Sequence, residues 1–481
     1  VTDKFIAKIG EAFFEIERRE SLYDWKVGDI YVWSVIRSRL FKVIMKNSKL
    51  FNYDTNRAID IEQYESKYHG RYPMKLLAWA MLGMARKPRQ GEPDFRNLGR
   101  FDAVVVPFST RDANLEDKFS KPITEALGGR ALTLGVGTWD KITAAPRIDD
   151  LNRWMIEGLG PLGSIIVRLI VRKADYEKYR RVVKFLEAET GVSMAPYDRF
   201  PRWTFSSFIV QRWAYRILFK RTNAKVLFAV NAARFPLQAA AQERGIRIVE
   251  IQSGVFSKYS LQFSWPGSPT IPYIPDEIWT WGEYWTDGIE HAGQQKIRVV
   301  GSTAEFEAIR DKNAAKIPGQ VVFLAQPLIG LQIFEEAVAF AKARPELNII
   351  FKLHPRNELA EFEGALAALG SAAPRNLKVV HVERSSLEII AESEYSIGVF
   401  STALIEAAAL GSKVGIIKLA GWEHLENLID RGFAKAFMTG AELAAGLESI
   451  PLPADPYFFY GRHADIGKLA AEYVEQLSKQ G

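Results

Sequence analysis

Short β-branched runs alternating with helical stretches dominate this chain from residue 101 onward, and they limit its fold more than any other feature. The first series reads "FDAVVVPF", "RALTLGVG", "AKVLFAV", "IRIVEIQSG", "DEIWTWGE" and "KIRVVGS". A charged, proline-bearing break, "AEFEAIRDKNAAKIPGQ", separates it from a second series, "VVFLAQP", "NIIFKLHP", "LKVVHVE", "YSIGVF" and "KVGIIKL". Strands that are apolar throughout, rather than at alternate positions, have both faces covered, and the intervening helices supply the cover. The pattern predicts an α/β chain of two doubly wound, Rossmann-like domains whose strand carboxyl ends face a cleft, the usual place for a ligand in such sheets. The expected divisions are a helical N-terminal appendage over 1–95, a first domain over 96–310, a second over 311–460, and a C-terminal helix over 461–481 that packs back across the pair.

Composition agrees with two cores and an appendage: 481 residues at 48% hydrophobic content exceed what one ordinary core needs. The net charge of +6, from 63 basic against 57 acidic residues, is a mild excess suited to anionic substrates or lipid and too small to argue for nucleic acid. With no cysteine there is neither a disulfide framework nor a thiolate metal site. The histidines, at 69, 291, 354, 381, 424 and 463, include no pair at helical ligand spacing. No run approaches the roughly 18 apolar residues of a membrane span, and "VTDKFIAKIGEAFFEIERRE" lacks the order of a secretory signal, so a cytoplasmic chain is expected. Trp25, Trp33 and Phe41 stand among basic residues, and "MKLLAWAMLGMARKPRQGEP" is a short apolar helix with a basic end. Such segments either lie on a membrane surface or pack on the next domain.

The residues that carry chemistry fall at strand ends. His354, Pro355 and Arg356 follow "NIIFKL"; proline lacks an amide hydrogen and disfavours helical geometry before it, so the strand stops with an imidazole and a guanidinium at its rim. That pair suits a phosphate, and the alternative is a histidine capping a nearby loop. Ser401 and Thr402 stand at the N-cap and first turn of "ALIEAAALG", where amide hydrogens and the helix dipole already favour an anion. Glu406 lies one turn deeper on the same face, placed to accept hydrogen bonds from ribose hydroxyls or to orient a base. An N-cap pair or a helical glutamate alone is commonly structural; two such features on one sheet's carboxyl edge describe a nucleotide phosphate site. Gln326 ends the first strand of the second domain, and Gln252, Ser253 and Gly254 form a strand-to-loop turn on the other cleft wall. Trp422, in "GWEH", either stacks a base or packs under the final helix.

"KLHP" followed by an apolar strand and "STALIEA" resembles the donor-binding half of bacterial glycosyltransferases with the GT-B fold. That group includes sialyltransferases and Kdo transferases, which use CMP-activated sugars, and CDP-glycerol glycerophosphotransferases. The resemblance implies phosphate contacts for His354, Ser401 and Thr402, a CMP-sugar donor and a polysaccharide or lipid-linked glycan acceptor. It also implies a role in surface-polysaccharide synthesis, with peripheral contact at the inner face of the cytoplasmic membrane. In the first domain "VEIQSGVFSKYSLQFSWPG" and "YIPDEIWTWGEYW" look like the "QHG…PD…WG" pattern of capsule-type transferases, with Ser253 where a histidine is more usual. The likeness covers roughly residues 225 to 420.

Inverting transfer requires a general base near the acceptor hydroxyl. Candidates at strand ends are Asp112, Glu116 and Asp117 in "STRDANLEDKF", then Asp140 and Glu283, with Asp112, Asp117 and Glu283 as the catalytic set; a retaining enzyme needs none of them. No D-x-D stands near a strand end in a suitable context, and fixed donors at a helix mouth stabilise a leaving phosphate without a cation, so neither metal nor other cofactor is expected. A nucleotide-sugar 2-epimerase and a non-catalytic binding relative are the competing readings.

Overall fold

The computed structural model describes residues 4–51, 98–108, 117–134, 147–148, 163, 165–195, 197, 199–230 and 234–480. Asp112, Glu116, Asp140 and the 74–93 segment lie outside them. The chain begins with helix α1 (Phe5–Glu20), a tight hairpin of β1 (Lys26–Val27) and β2 (Ile30–Tyr31), and helix α2 (Val32–Asn47).

Among the described residues seven parallel strands follow: β3 (Ala103–Val106), β4 (Ala131–Leu134), β5 (Arg147–Ile148), β6 (Val226–Val230), β7 (Arg247–Ile251), β8 (Glu277–Thr280) and β9 (Lys296–Val299). Their spatial order is β5-β4-β3-β6-β7-β8-β9. The second sheet holds β10 (Ile317–Leu324), β11 (Asn348–Lys352), β12 (Leu377–Val380), β13 (Ser393–Gly398), β14 (Lys413–Ile417) and β15 (Ala434–Phe437), in the order β12-β11-β10-β13-β14-β15. Each sheet starts in the middle, grows to one side, then returns and grows to the other, which opens a crevice between β3 and β6 and another between β10 and β13. This is the doubly wound, two-domain arrangement that the strand pattern predicts. Every apolar run named above contains a strand, and β3, β4 and β6 are buried along their whole length. Two edge strands, β5 and β15, add to the expected set. In β15 the Lys435 side chain is exposed and Ala436 half-buried, so an edge position leaves no continuous apolar run to read.

The helical appendage is bound to both domains. The Ile6 amide donates to Glu423 Oε1 at 2.8 Å in the second domain. Arg37 donates to the carbonyls of Leu261 and Ser264 in the first. Trp25 and Trp33 are buried and Phe41 is half-buried, so packing, not membrane contact, occupies the two indoles.

At the other end the chain crosses back. The Gly461 amide donates to Trp281 O (2.8 Å), and Ser302 N donates to Gly461 O (3.2 Å). The ring of Tyr460 stacks on Phe306 at 4.4 Å and on Trp281 at 5.4 Å. Gly301, at φ +81°, makes this crossing possible, because a Cβ there would sit 1.8 Å from the Arg462 carbonyl oxygen. The final helix, Ile466–Gln480, then lies on the first sheet, with Ala470 and Val474 in the same core as Val105 and Phe228.

Candidate functional site

The crevice between β10 and β13 gathers the polar residues that the sequence singles out. His354 lies two residues beyond β11, Gln326 two beyond β10 and Ser401 three beyond β13, on strands that are consecutive in the sheet. Two strand spacings place the outer pair roughly 10 Å apart, the reach of a phosphate and its nucleoside.

Local bonding fixes each group. The Asn357 amide donates to His354 O at 2.9 Å, and Asn357 Oδ1 accepts from His354 N at 3.2 Å, which closes a turn at Pro355. The Arg356 amide donates to His354 Nδ1 at 3.1 Å. Nδ1 is therefore the acceptor, and the ring proton sits on Nε2. Burial pushes the imidazole pKa down to about 4, helped by the neighbouring cations Arg356 and Lys352 and by His381. His354 is thus a neutral donor through Nε2 at ordinary pH. Lys352 is buried behind it and donates to the His381 carbonyl; Pro355 and Arg356 are exposed at the rim.

Gln326 is buried, and its Oε1 accepts from the Phe400 amide at 3.1 Å, joining the two loops that flank the crevice. Ser401 caps the helix Thr402–Ala409 by accepting from Ala403 N at 3.2 Å, which leaves its hydroxyl hydrogen to donate elsewhere. That helix seats close to the strand end because position 398 is glycine: a Cβ there would be 3.2 Å from Leu404 Cδ1. Thr402 is half-buried, and its hydroxyl has no hydrogen-bond partner among the described residues.

Glu406, one turn deeper, is half-buried and faces the other domain. Burial raises its pKa; Lys118 opposes the shift and Glu305 adds to it. Lys118 and Glu305 pair at 3.5 Å. The Tyr460 hydroxyl is buried with no hydrogen-bond partner among the described residues, and burial together with the Glu406 charge holds its pKa well above the usual tyrosine range.

The first-domain candidates come out differently. Asp117 clasps its loop: Oδ2 accepts from Phe108 N (2.9 Å), Ser120 N (3.2 Å) and the Ser120 hydroxyl, and Oδ1 from Phe119 N (3.1 Å). Four donors at a helix mouth, three of them on Oδ2, make this carboxylate the clasp of its own loop, and burial raises its pKa. Glu283 is exposed beyond the end of β8. Gln252 is fully buried, its Oε1 accepting from Trp281 N (2.9 Å) and its Nε2 donating to Gly254 O (3.1 Å), so its carboxamide shapes the turn. Ser253 and Gly254 are half-buried; a Cβ at Gly254 would meet nothing within 4 Å, so the backbone there does not demand glycine. Trp422 is buried in the core rather than available to stack a base.

One contact absent from the sequence reading joins the domains at this level. Ser257 Oγ, in the loop after β7, lies 2.8 Å from Nδ1 of His424, which follows β14. The two residues are 167 positions apart, so no local pattern announces the pair.

The neutral state of His354 has a measurable consequence. Between pH 6.5 and 8 the ratio of nucleotide affinities of the unmodified protein and His354→Ala stays constant, because a group near 4 does not titrate there. A histidine at its ordinary pKa would make that ratio climb as pH falls toward 6.5, since the imidazolium then attracts phosphate more strongly. Calorimetry at three pH values reads the difference, and taking a ratio cancels the ligand's own ionisation.

No protein-family model and no curated protein matches this chain. Among solved structures, the calicheamicin glycosyltransferase CalG4 is 11% identical, covering 79% of this chain and 98% of its own, with a TM-score of 0.44. MurG from Acinetobacter baumannii is 12% identical, with 79% and 99% coverage and a TM-score of 0.44. UDP-GlcNAc 2-epimerase from Neisseria meningitidis, bound to UDP-GlcNAc, is 13% identical, with 78% and 100% coverage and a TM-score of 0.42. At such identities none of these activities transfers to this chain by likeness.

Proposed function

We propose that this chain is a glycosyltransferase that moves a sugar from a nucleotide-activated donor to a glycan or lipid-linked acceptor. The observation that carries the reading is the crevice between β10 and β13, where the Nε2–H of His354, the hydroxyls of Ser401 and Thr402 and a helix amino end stand at neighbouring strand ends. These are fixed, uncharged donors arranged for phosphate, with Glu406 one turn away for ribose hydroxyls. In the transfer, the bond between the anomeric carbon and the phosphate oxygen breaks, and the nucleotide leaves with the electron pair. A new bond forms from the acceptor oxygen, whose proton passes to a base or to the departing phosphate. Because hydrogen-bond donors meet the leaving charge, the reaction is proposed to need no metal.

The donor is proposed to be a CMP-sugar of the Kdo or sialic acid kind, on the strength of the "KLHP" and "STALIE" segments, and the pathway surface-polysaccharide assembly on the cytoplasmic side of the membrane. A 2-epimerase would require several carboxylates converging with a histidine on one sugar carbon; the charged neighbours that shift His354 are cations. Incubation with CMP-, UDP- and GDP-sugars, with nucleotide release followed in the presence of a chelator, tests the reading. Release from one donor class, undiminished by the chelator, is expected. Tight nucleotide binding with no release from any donor, with or without acceptor or added divalent metal, would make the chain a binding module.

No described helix is long and apolar enough to cross a membrane. Peripheral contact is supported by Ile165, Ile166 and Leu169, exposed by 57%, 43% and 80%, beside the exposed cations Arg168, Arg172 and Lys173. Co-sedimentation with vesicles containing anionic lipid is expected, reduced several-fold by Leu169→Glu and by 0.5 M salt. Equal sedimentation with neutral vesicles would contradict this surface.

A further inference from the structure

A cavity of about 280 Å³ opens where three parts of the chain meet: α2, the loop after β7, and the loops after β10 and β13. Phe41, Lys42 and Met45 come from α2, Tyr259 and Phe263 from the β7 loop, and Phe400 from the residue before Ser401. Helix α2 therefore builds one wall of the cleft, and Phe51, just beyond it, packs edge-on against Phe400 at 6.2 Å.

Its chemistry is asymmetric. The walls are mostly aromatic and aliphatic, interrupted by Ser38, Ser260 and Gln262, and the described residues that line it include one lysine and no carboxylate. Lys42 has no hydrogen-bond or ion-pair partner among the described residues. Solvent reaches its side chain, yet the surrounding protein, with Arg39 nearby, lowers its pKa from the ordinary lysine value. His424, at one end, is pushed down to about 4 by burial and is neutral. A solvent-facing ammonium with no partner among the described residues, at the edge of a largely apolar chamber, offers an anion a counter-charge. In size, a cavity of about 150 Å³ holds benzene, so this one takes a body of roughly two fused rings or ten carbons.

We infer that this cavity, walled by α2 and carrying Lys42, binds the acceptor, and that the acceptor is an amphiphile with an apolar body and an anionic group. The assignment rests on the transferase reading for the word acceptor, and on geometry for the rest. Phe400 belongs to both places, since it lines the cavity and its amide is held by Gln326 at the phosphate crevice. An occupant's hydroxyl at that end lies beside the proposed donor phosphate, while its charge sits at Lys42.

Calorimetric titration of the full chain with 2-naphthyl phosphate, 2-naphthol and inorganic phosphate tests the inference. The naphthyl phosphate is expected to bind at least tenfold more tightly than either fragment, and saturating nucleotide should not displace it. Lys42→Met should weaken it about tenfold and Lys42→Glu further, whereas Lys8→Met, on the exposed face of α1, should leave it unchanged. No binding, equal binding of naphthol, displacement by nucleotide, or indifference to both Lys42 variants would overturn the assignment. Nucleotide titration of the same preparation separates the two readings. Loss of nucleotide binding alone removes the transferase reading and leaves an anionic-ligand cavity. Nucleotide binding without probe binding overturns the cavity assignment only.

Discussion

Glu17→Ala is expected to destabilise the protein by about 3–5 kcal/mol, the largest effect of any single substitution considered for this fold. Glu17 and Arg37 are 2% and 1% exposed, and they pair face to face between α1 and α2. The carboxylate also accepts from Trp33 Nε1 (2.8 Å) and from the Tyr23 hydroxyl (2.6 Å). The guanidinium donates to the Leu261 and Ser264 carbonyls and lies 4.1 Å over the Trp265 ring. Removing the acid leaves a buried cation with part of its shell, and it strips two further donors of their acceptor. The damage reaches the cleft, because the same loop after β7 carries the Ser257 contact to His424 and one wall of the cavity. Denaturant unfolding of Glu17→Ala should show the loss, and Glu17→Leu/Arg37→Met should recover much of it by replacing both charges with apolar bulk. An unchanged midpoint in Glu17→Ala would mean that the N-terminal helices unfold separately from the two domains.

The second large effect belongs to the helix mouth. Ser401→Ala with Thr402→Val is expected to weaken nucleotide binding by about 10- to 100-fold, from two hydrogen bonds to a charged phosphate at about 1.5–3 kcal/mol each, partly offset by water. The two positions separate fold from function. Ser401 caps its helix, so its loss also costs about 1 kcal/mol of stability. Thr402 has no partner for its hydroxyl among the described residues, so Thr402→Val should leave the melting temperature unchanged while still weakening the ligand. A Thr402→Val protein that binds nucleotide as well as the unmodified one would take that hydroxyl out of the site.

The contrast between Ser401 and Asp117 shows what local sequence conveys. Both are polar residues in the loop between a strand and the helix that follows it, so both carry a similar signal. What divides them is how far each is engaged: Ser401 accepts once and keeps a hydrogen to donate, whereas Asp117 accepts from four donors, on Phe108, Phe119 and Ser120. That distinction depends on how the loop folds back, which spacing does not encode. The strands are legible for a simpler reason, since burial on both faces writes a continuous apolar run, and β15 is missed where the edge lifts that requirement. Tyr460 and α2 are placed by residues far away in the chain, Tyr460 by Phe306 and Trp281 and α2 by the Leu261 and Ser264 carbonyls that Arg37 meets. Nothing in "PYFFYGR" or "RSRLFKVIM" points toward a cleft until the two domains are assembled.

The most direct test of the central claim, that the crevice between β10 and β13 holds a nucleotide phosphate, is calorimetric titration with CMP, CDP, UDP and GDP, repeated on His354→Ala. One nucleotide should bind with unit stoichiometry and lose about tenfold or more in affinity when the Nε2–H donor is removed. Absence of binding by all four to a folded protein, or equal affinity in the unmodified and His354→Ala proteins, would contradict it.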